Sequence, residues 1–444
     1  MYPSPTSPRS PESAPASSPA PEAPSTPGTP SAGTSAAQGT SAAPVGPPTD
    51  INTYVLEHHG SPIRNILDLV RGEDTIAFSG GLPANELFDV EGVARAYQDV
   101  LLGPDGARAL QYGPVIGEPE MREAAAKRLT ESSCPASPDQ ILVTSGSQQG
   151  LGLAGQTLLN AGDVVLAENP TFVSALSAFR LQGAVCRGVE SDEHGLVPAD
   201  LERKILEHSP KALYTIPTFQ NPTGVTMPAA RRKEIADVLV RHSIWLIEDD
   251  PYSELRYEGE AVPAISADPR LDDKSLLLGT LSKVLSPGLR IGWVRGPEEI
   301  IGHMANAKQA VSLGTSTVDQ LAAAHYIQRT DIPGTLVPVR ETYAARRDRM
   351  WEVLPAVLPA GSHVTRPSGG MFMWATLPTG FDTSALVADI AAADTVYVPG
   401  SNFYVEDPDH RTIRFSFVSN TPDRIEEGLL RMQPVFEKAA AELR

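Results

Sequence analysis

The sequence predicts an α/β fold with a mostly parallel sheet, helices on both faces of a large domain, and a smaller α/β domain after it. Three observations carry this expectation. Six apolar runs of strand length, over residues 141–144, 164–167, 212–216, 244–248, 275–278 and 291–294, recur with helical patterns between most of them. The unusual residues fall just after those runs: Ser145-Gly146-Ser147-Gln148, Asn221-Pro222-Thr223-Gly224, Asp249 and Lys283. That is where ligands gather in open α/β sheets. From about Gly334 a long helical pattern through Trp351 gives way to a Gly-rich turn and a few strands, the signature of a second, smaller unit.

Taken in order, the chain begins with a segment unlike the rest. Residues 1–48 hold 13 prolines, three charged side chains and one aromatic, Tyr2. So little apolar surface cannot offset the entropy of ordering, and a disordered arm is expected. No apolar run follows a basic start and none approaches 18 residues, so neither a signal peptide nor a membrane span is expected. Residues 51–71 carry apolar positions at near-helical spacing, with Ser61-Pro62 opening a fresh helix. Residues 76–83 run from an apolar start into Gly80-Gly81, where backbone can approach a ligand. Gln111-Tyr112-Gly113 reads as a loop, and Gly117-Glu118-Pro119-Glu120 opens an amphipathic helix.

Composition narrows the function classes. The 444 residues, 41% of them hydrophobic, suffice for two or three domains and a large core. A formal charge of −18 argues against nonspecific nucleic-acid binding, which needs clustered Lys and Arg, but leaves room for a small anion held by a few arginines. Cys134 and Cys186 stand 52 residues apart without a partner motif, and no His/Cys cluster has zinc spacing. A reducing cytoplasm and no metal are expected, with His58-His59 exposed and inert.

The chemistry concentrates around Lys283. It sits in a turn between two core strands, among Thr280, Ser282 and Arg290. Read alone it is a solvated loop lysine; held between core elements, its amine would instead have a lowered pKa and could form a Schiff base. The hydroxyls and the guanidinium fork suit the dianionic phosphate of pyridoxal phosphate (PLP). The turn at 144–149 offers helix N-terminal amides to an anion and lacks the lysine of a Walker loop. Asn221 is followed by proline, so its segment is no glycosylation site. Asp249 and Asp250 end an apolar strand, and one of them can face a pyridine nitrogen and keep it protonated. Arg414 interrupts an apolar strand, where an unpaired guanidinium is costly; a bidentate carboxylate resolves that cost.

From about residue 51 to the C-terminus, these motifs resemble in order the fold-type I, class I/II aminotransferases, and within them the aminoadipate and kynurenine aminotransferase branch. The resemblance implies an enzyme that uses PLP to move an amino group between an L-amino acid and a 2-oxo acid. It assigns Ser147 and Gln148 to the cofactor phosphate, Phe172 to stacking on the pyridine ring, and Asn221 and Tyr252 to the phenolic oxygen. The Asp-x-x-Tyr spacing selects Asp249 for the ring nitrogen and leaves Asp250 at the surface. Lys283 is the Schiff-base lysine and proton carrier. Arg414 takes the substrate α-carboxylate, with Gly81 and Asn221 beside it, and Gly369-Gly370 line the same pocket. Arg64 matches a position that meets a distal carboxylate in some members; read alone it is a helix-surface arginine. Tyr112 matches a tyrosine that crosses a homodimer to its partner's cofactor phosphate; read alone it is a loop aromatic. The implied segments are the arm (1–48), an N-terminal segment packing on the small domain (49–80), the large PLP domain (81–333) and the small domain (334–444). Two alternatives stand beside this reading. One is another PLP chemistry on the same fold, such as decarboxylation or elimination. The other is an aminotransferase-like regulator, whose DNA-binding domain would occupy the place of the low-complexity arm.

Overall fold

The computed structural model describes Val55 and residues 74–443. The arm over 1–48, the helical segment over 51–71 apart from Val55, His58-His59 and Arg64 lie outside the described residues. A two-residue strand, β1 (Ile76–Ala77), opens the continuous part. All six apolar runs then become strands of one sheet. In chain order it contains β2 (Ile141–Thr144), β3 (Val164–Asn169), β4 (Val185–Asp192), β5 (Gly195–Leu196), β6 (Ala212–Thr215), β7 (Trp245–Asp249), β8 (Ser275–Thr280) and β9 (Gly292–Arg295). Their spatial order is β2-β9-β8-β7-β6-β3-β4-β5.

Neighbours from β8 across to β4 run parallel. Strand β9 is antiparallel to both β2 and β8. The cause is the connection: residues 281–291 hold no crossover helix to carry the chain back to the other end of the sheet, so the strand reverses in place. Thr280 then pairs with Gly292, and Gly292 with Thr144. This reversal brings the lysine turn, Arg290 and the Gly146-Ser147 turn to one corner.

Burial explains why these strands read as continuous apolar runs. In β2, Leu142 packs into one hydrophobic cluster while Ile141 and Val143 pack into another. In β8, Leu276 and Leu278 face the first cluster and Leu277 the second. Both faces are therefore covered, as a parallel sheet requires. Strand β4 went unnoticed in the sequence because Arg187, Glu190 and Asp192 break its apolar character. It tolerates them beside the two-residue edge strand β5.

The smaller sheet contains β10 (His363–Val364), β11 (Phe372–Thr376), β13 (Val398–Pro399) and β14 (Thr412–Ser416), in the antiparallel order β10-β11-β14-β13. Strand β12 (Thr395–Val396) instead pairs with β1. Helices Ile332–Val357 and Pro422–Glu442 pack on each other. Phe372, Phe415 and Phe417 share a cluster with Tyr214 and Ile247 of the large sheet, so the two sheets meet over one core. Phe78 donates its N–H to the Val396 carbonyl at 2.7 Å and accepts from Ser416 N–H at 2.8 Å. Those bonds fix the approach to Gly80-Gly81 next to Arg414. Among the described residues no helix is long and apolar enough to cross a membrane.

Candidate active site

The carboxyl ends of β2, β3, β6, β7 and β8 border a cavity of about 500 Å³. Twelve residues singled out in the sequence line it: Gly81, Ser147, Gln148, Phe172, Asn221, Asp249, Tyr252, Thr280, Ser282, Lys283, Arg290 and Arg414. Tyr112 is not among them; it is 84% exposed on a loop beside a different cavity. Gly369 and Gly370 are not on this wall either. They press against Phe219, whose ring leaves no room for a side chain at Gly369, and so serve packing.

Lys283 is partly buried, and its Nζ donates to the Gly81 carbonyl at 2.8 Å. Loss of hydration pulls its pKa down to about 8, with help from the positive charges of Arg414 and Arg290. The Gly-Gly turn therefore approaches the lysine itself. A Cβ on Gly81 would lie 2.8 Å from Phe372 Cζ, so the turn reaches Lys283 only with glycine there.

Asp249 is 3% exposed at the end of β7. One carboxylate oxygen accepts from the Tyr214 hydroxyl at 3.1 Å; the other has no partner among the described residues. Burial raises its pKa to about 7, partly offset by Tyr214, while the adjacent Asp250 charge pushes the same way as burial. Asp250 is half-buried and not at the surface as expected. It accepts from Ser253 N–H at 3.1 Å and lines a neighbouring cavity.

Arg414, on β14, is 3% exposed. Its guanidinium donates to Asn221 Oδ1 at 2.9 Å and to the Ser79 carbonyl at 2.7 Å, while Nε is unpartnered. Phe372 and Phe403 lie against it, at 4.3 and 4.7 Å from ring centroid to Cζ. Burial lowers its pKa to about 10. None of these contacts carries negative charge, so the fork retains the capacity for an anion.

The opposite end of the cavity suits a phosphate. Ser147 is the first residue of helix Ser147–Leu158, and Gly146 before it holds φ 82°. A Cβ on Gly146 would stand 2.5 Å from Arg290 Nη2, which donates to the Ser145 carbonyl at 3.0 Å. The Thr280 hydroxyl lies 2.9 Å from Ser282 Oγ and 3.2 Å from the Ile291 carbonyl. Thr280 thus orients Ser282. Tyr252 lies edge-on to Phe372 at 6.1 Å; burial raises its phenol pKa and the Asn221 amide opposes that rise.

Sequence reasoning missed Tyr214, Ser79 and Phe372. A signal existed for Tyr214: a hydroxyl in the middle of an apolar strand needs a buried partner, as Arg414 did. Ser79 acts through its carbonyl, which side-chain chemistry does not reveal.

The pKa of Lys283 yields a prediction. Only the neutral amine attacks an aldehyde, so covalent capture of PLP by cofactor-free protein should rise about tenfold per pH unit below 8 and level off above it. Stopped-flow absorbance measures the rate; a rise continuing to pH 10 would mean an unperturbed lysine.

A tuned amine, a buried carboxylate without a cation, a buried guanidinium without an acid and a helix N-terminus thus border one cavity. The sequence model for aminotransferase class I and II matches residues 75–431. The aromatic-amino-acid aminotransferase 1 of Thermococcus litoralis is 39% identical over 378 residues, 84% of this chain and 90% of that protein. The crystal structure of LysN, the α-aminoadipate aminotransferase of Thermus thermophilus complexed with N-(5'-phosphopyridoxyl)-L-leucine, aligns with TM-score 0.82 at 32% identity. That alignment covers 88% of this chain and 98% of LysN. An uncharacterized HTH-type transcriptional regulator of Bacillus subtilis, YisV, is 30% identical over 89% of this chain and 80% of its own length. The chain belongs to the class I and II aminotransferases. It has the fold-type I architecture, and transamination is its reaction class.

Proposed function

We propose that the cavity binds PLP and exchanges an amino group between an L-amino acid and a 2-oxo acid. The observation that carries this is the convergence of Lys283, Asp249 and Arg414 on one cavity. The residues fit the cofactor at each end. Ser147, Gln148, Ser282 and Arg290 hold the phosphate, and Asp249 meets the ring nitrogen with its unpartnered oxygen. Asn221 and Tyr252 serve the phenolic oxygen, and Phe172 offers a flat apolar face. When bound, PLP supplies the carbonyl that takes up the amino group and a ring that accepts the electron pair released at the substrate α-carbon.

The protein's own groups do the rest. Arg414 grips the α-carboxylate and orients the substrate; Phe372, Phe403, Asn221 and Ser79 hold the fork in place. Lys283 Nζ, poised near neutrality, takes the α-proton and returns it. A protonated ring nitrogen would supply the cation that Asp249 lacks and keep its carboxylate ionised. Mixing PLP-loaded protein with a panel of L-amino acids and following the cofactor absorbance tests the proposal. Conversion to the amine form by some of them is expected; no conversion by any would refute it.

The proposal extends to segments and setting. The large domain comprises residues 81–333 and the small one 334–444, and the bonds of Phe78 to β12 and β14 support packing of the N-terminal segment on the small domain. Residence in the cytoplasm is supported by the two free, buried cysteines. The regulatory alternative has YisV behind it. Sequence-dependent DNA binding in a low-salt gel shift would favour it over the enzyme.

A homodimer with shared sites belongs to the same proposal. Support comes from the 84% exposure of Tyr112 next to Leu110, itself 76% exposed, on one loop. Lys283→Ala and Tyr112→Ala should each impair activity. A mixed dimer should contain one doubly damaged site and one with both residues intact. Co-refolding the two variants should therefore exceed either parent. If mixed dimers form without any gain, Tyr112 works within its own chain or not at all.

A further inference from the structure

A second cavity, of about 230 Å³, adjoins the first: Pro251 and Thr280 line both. Two buried donors on its wall have no acceptor among the described residues. Trp293 is 4% exposed and its Nε1–H is unpartnered; Arg128 uses Nη2 on Glu254, but its Nε–H is unpartnered. Buried donors are almost always paired, so two orphans on one cavity wall point to an acceptor bound in it. The charge on the wall argues against a plain anion. Arg128 is already neutralised by Glu254, Glu131 adds a second carboxylate, and Asp250 adds a third whose hydrogen bond is to Ser253, with the charges of Arg232 and Arg256 acting on it without an ion pair among the described residues. A ligand must therefore bring an acceptor to Trp293 and Arg128 and a positive group to Asp250.

We propose that this cavity binds a small zwitterion bearing a carboxylate and an ammonium group, the chemical class of free amino acids. The carboxylate accepts from Trp293 Nε1–H and Arg128 Nε–H, and the ammonium pairs with Asp250. Asp250 follows Asp249 in the chain, and its charge is one of the influences that hold the Asp249 proton on. Neutralising Asp250 from this side therefore helps Asp249 stay ionised. Occupancy of the second cavity is thereby coupled to the electrostatics of the first, with binding and coupling required to be reciprocal.

The test is calorimetric titration of full-length protein with β-alanine in an Arg414→Gln background, which removes the carboxylate fork of the main cavity. Saturable binding is expected there. It should weaken at least tenfold on adding Trp293→Phe, which deletes the N–H and keeps an aromatic ring, and likewise on adding Asp250→Asn. Circular dichroism and melting temperature establish that each variant is folded, and two variants keep the test decisive if one is not. No binding in the Arg414→Gln background overturns the proposal, because the cavity then holds water only. Binding indifferent to both variants overturns it too. Turnover is not measured, so the result does not depend on whether the main site transaminates.

Discussion

Lys283→Ala should lose at least about 10⁴-fold in transamination, because one amine serves as both covalent anchor and proton carrier, and general acid–base catalysis alone contributes up to that factor. The protein holds a second lysine with the same perturbed acidity. Lys308 is fully buried and loss of hydration lowers its pKa to about 8 as well. Geometry separates the two. Lys308 Nζ donates to the Val115 and Val143 carbonyls, both at 2.7 Å, tying the end of β2 to the preceding loop and not facing the cavity. Lys308→Met should therefore lower the melting temperature and leave covalent PLP in place, whereas Lys283→Ala should stay folded and capture none. Absorbance of the purified variants and steady-state rates decide this. Turnover by Lys283→Ala within tenfold of the unaltered protein would end the assignment.

The contrast shows what the sequence could and could not reveal. Asp249 and Lys283 were legible because strand-to-loop junctions place chemistry at known ends of a parallel sheet, so both follow from chain order once β7 and β8 are recognised, whereas Phe172 and Tyr252 were singled out only by the family resemblance. Arg414 was legible as a charge in an apolar strand. Strand β9 was placed in the sheet, but its reversal depends on the short lysine connection and not on its own residues. Strand β4 was missed because polar side chains near an edge carry no apolar signature. Gly369-Gly370 were misplaced because a glycine pair signals close approach without saying to what; here it is Phe219. Asp250 was sent to the surface because the Asp-x-x-Tyr spacing selects Asp249 and leaves its neighbour without a role, and the second cavity that Asp250 lines has no mark in the sequence.

Asp249→Asn should lower turnover by roughly 10³-fold while retaining part of the cofactor, the size expected when a preorganised charge at the centre of a reaction is removed. Asparagine matches the carboxyl group in shape but cannot carry its charge, so the proton on the ring nitrogen loses its counter-ion and the ring its capacity to accept electrons. The effect is large because the environment offers no substitute. Asp249 is 3% exposed and has Tyr214 as its one partner among the described residues. Asp250 cannot stand in, since it faces the neighbouring cavity, and Asp250→Asn should leave the main reaction near its original rate at pH 8, where removing a charge that favours the Asp249 proton changes little. Tyr214→Phe supplies an intermediate case. It removes the hydrogen bond that opposes the rise in the Asp249 pKa, leaving the carboxylate in place but easier to protonate. Its loss of activity should therefore be modest at pH 8 and grow as the pH falls, whereas the loss in Asp249→Asn should be nearly independent of pH. Rates for the three variants across pH 6 to 9 separate these outcomes. A damaging Asp250→Asn alongside a mild Asp249→Asn would move the ring-nitrogen contact one residue along the chain and with it the whole orientation of the cofactor.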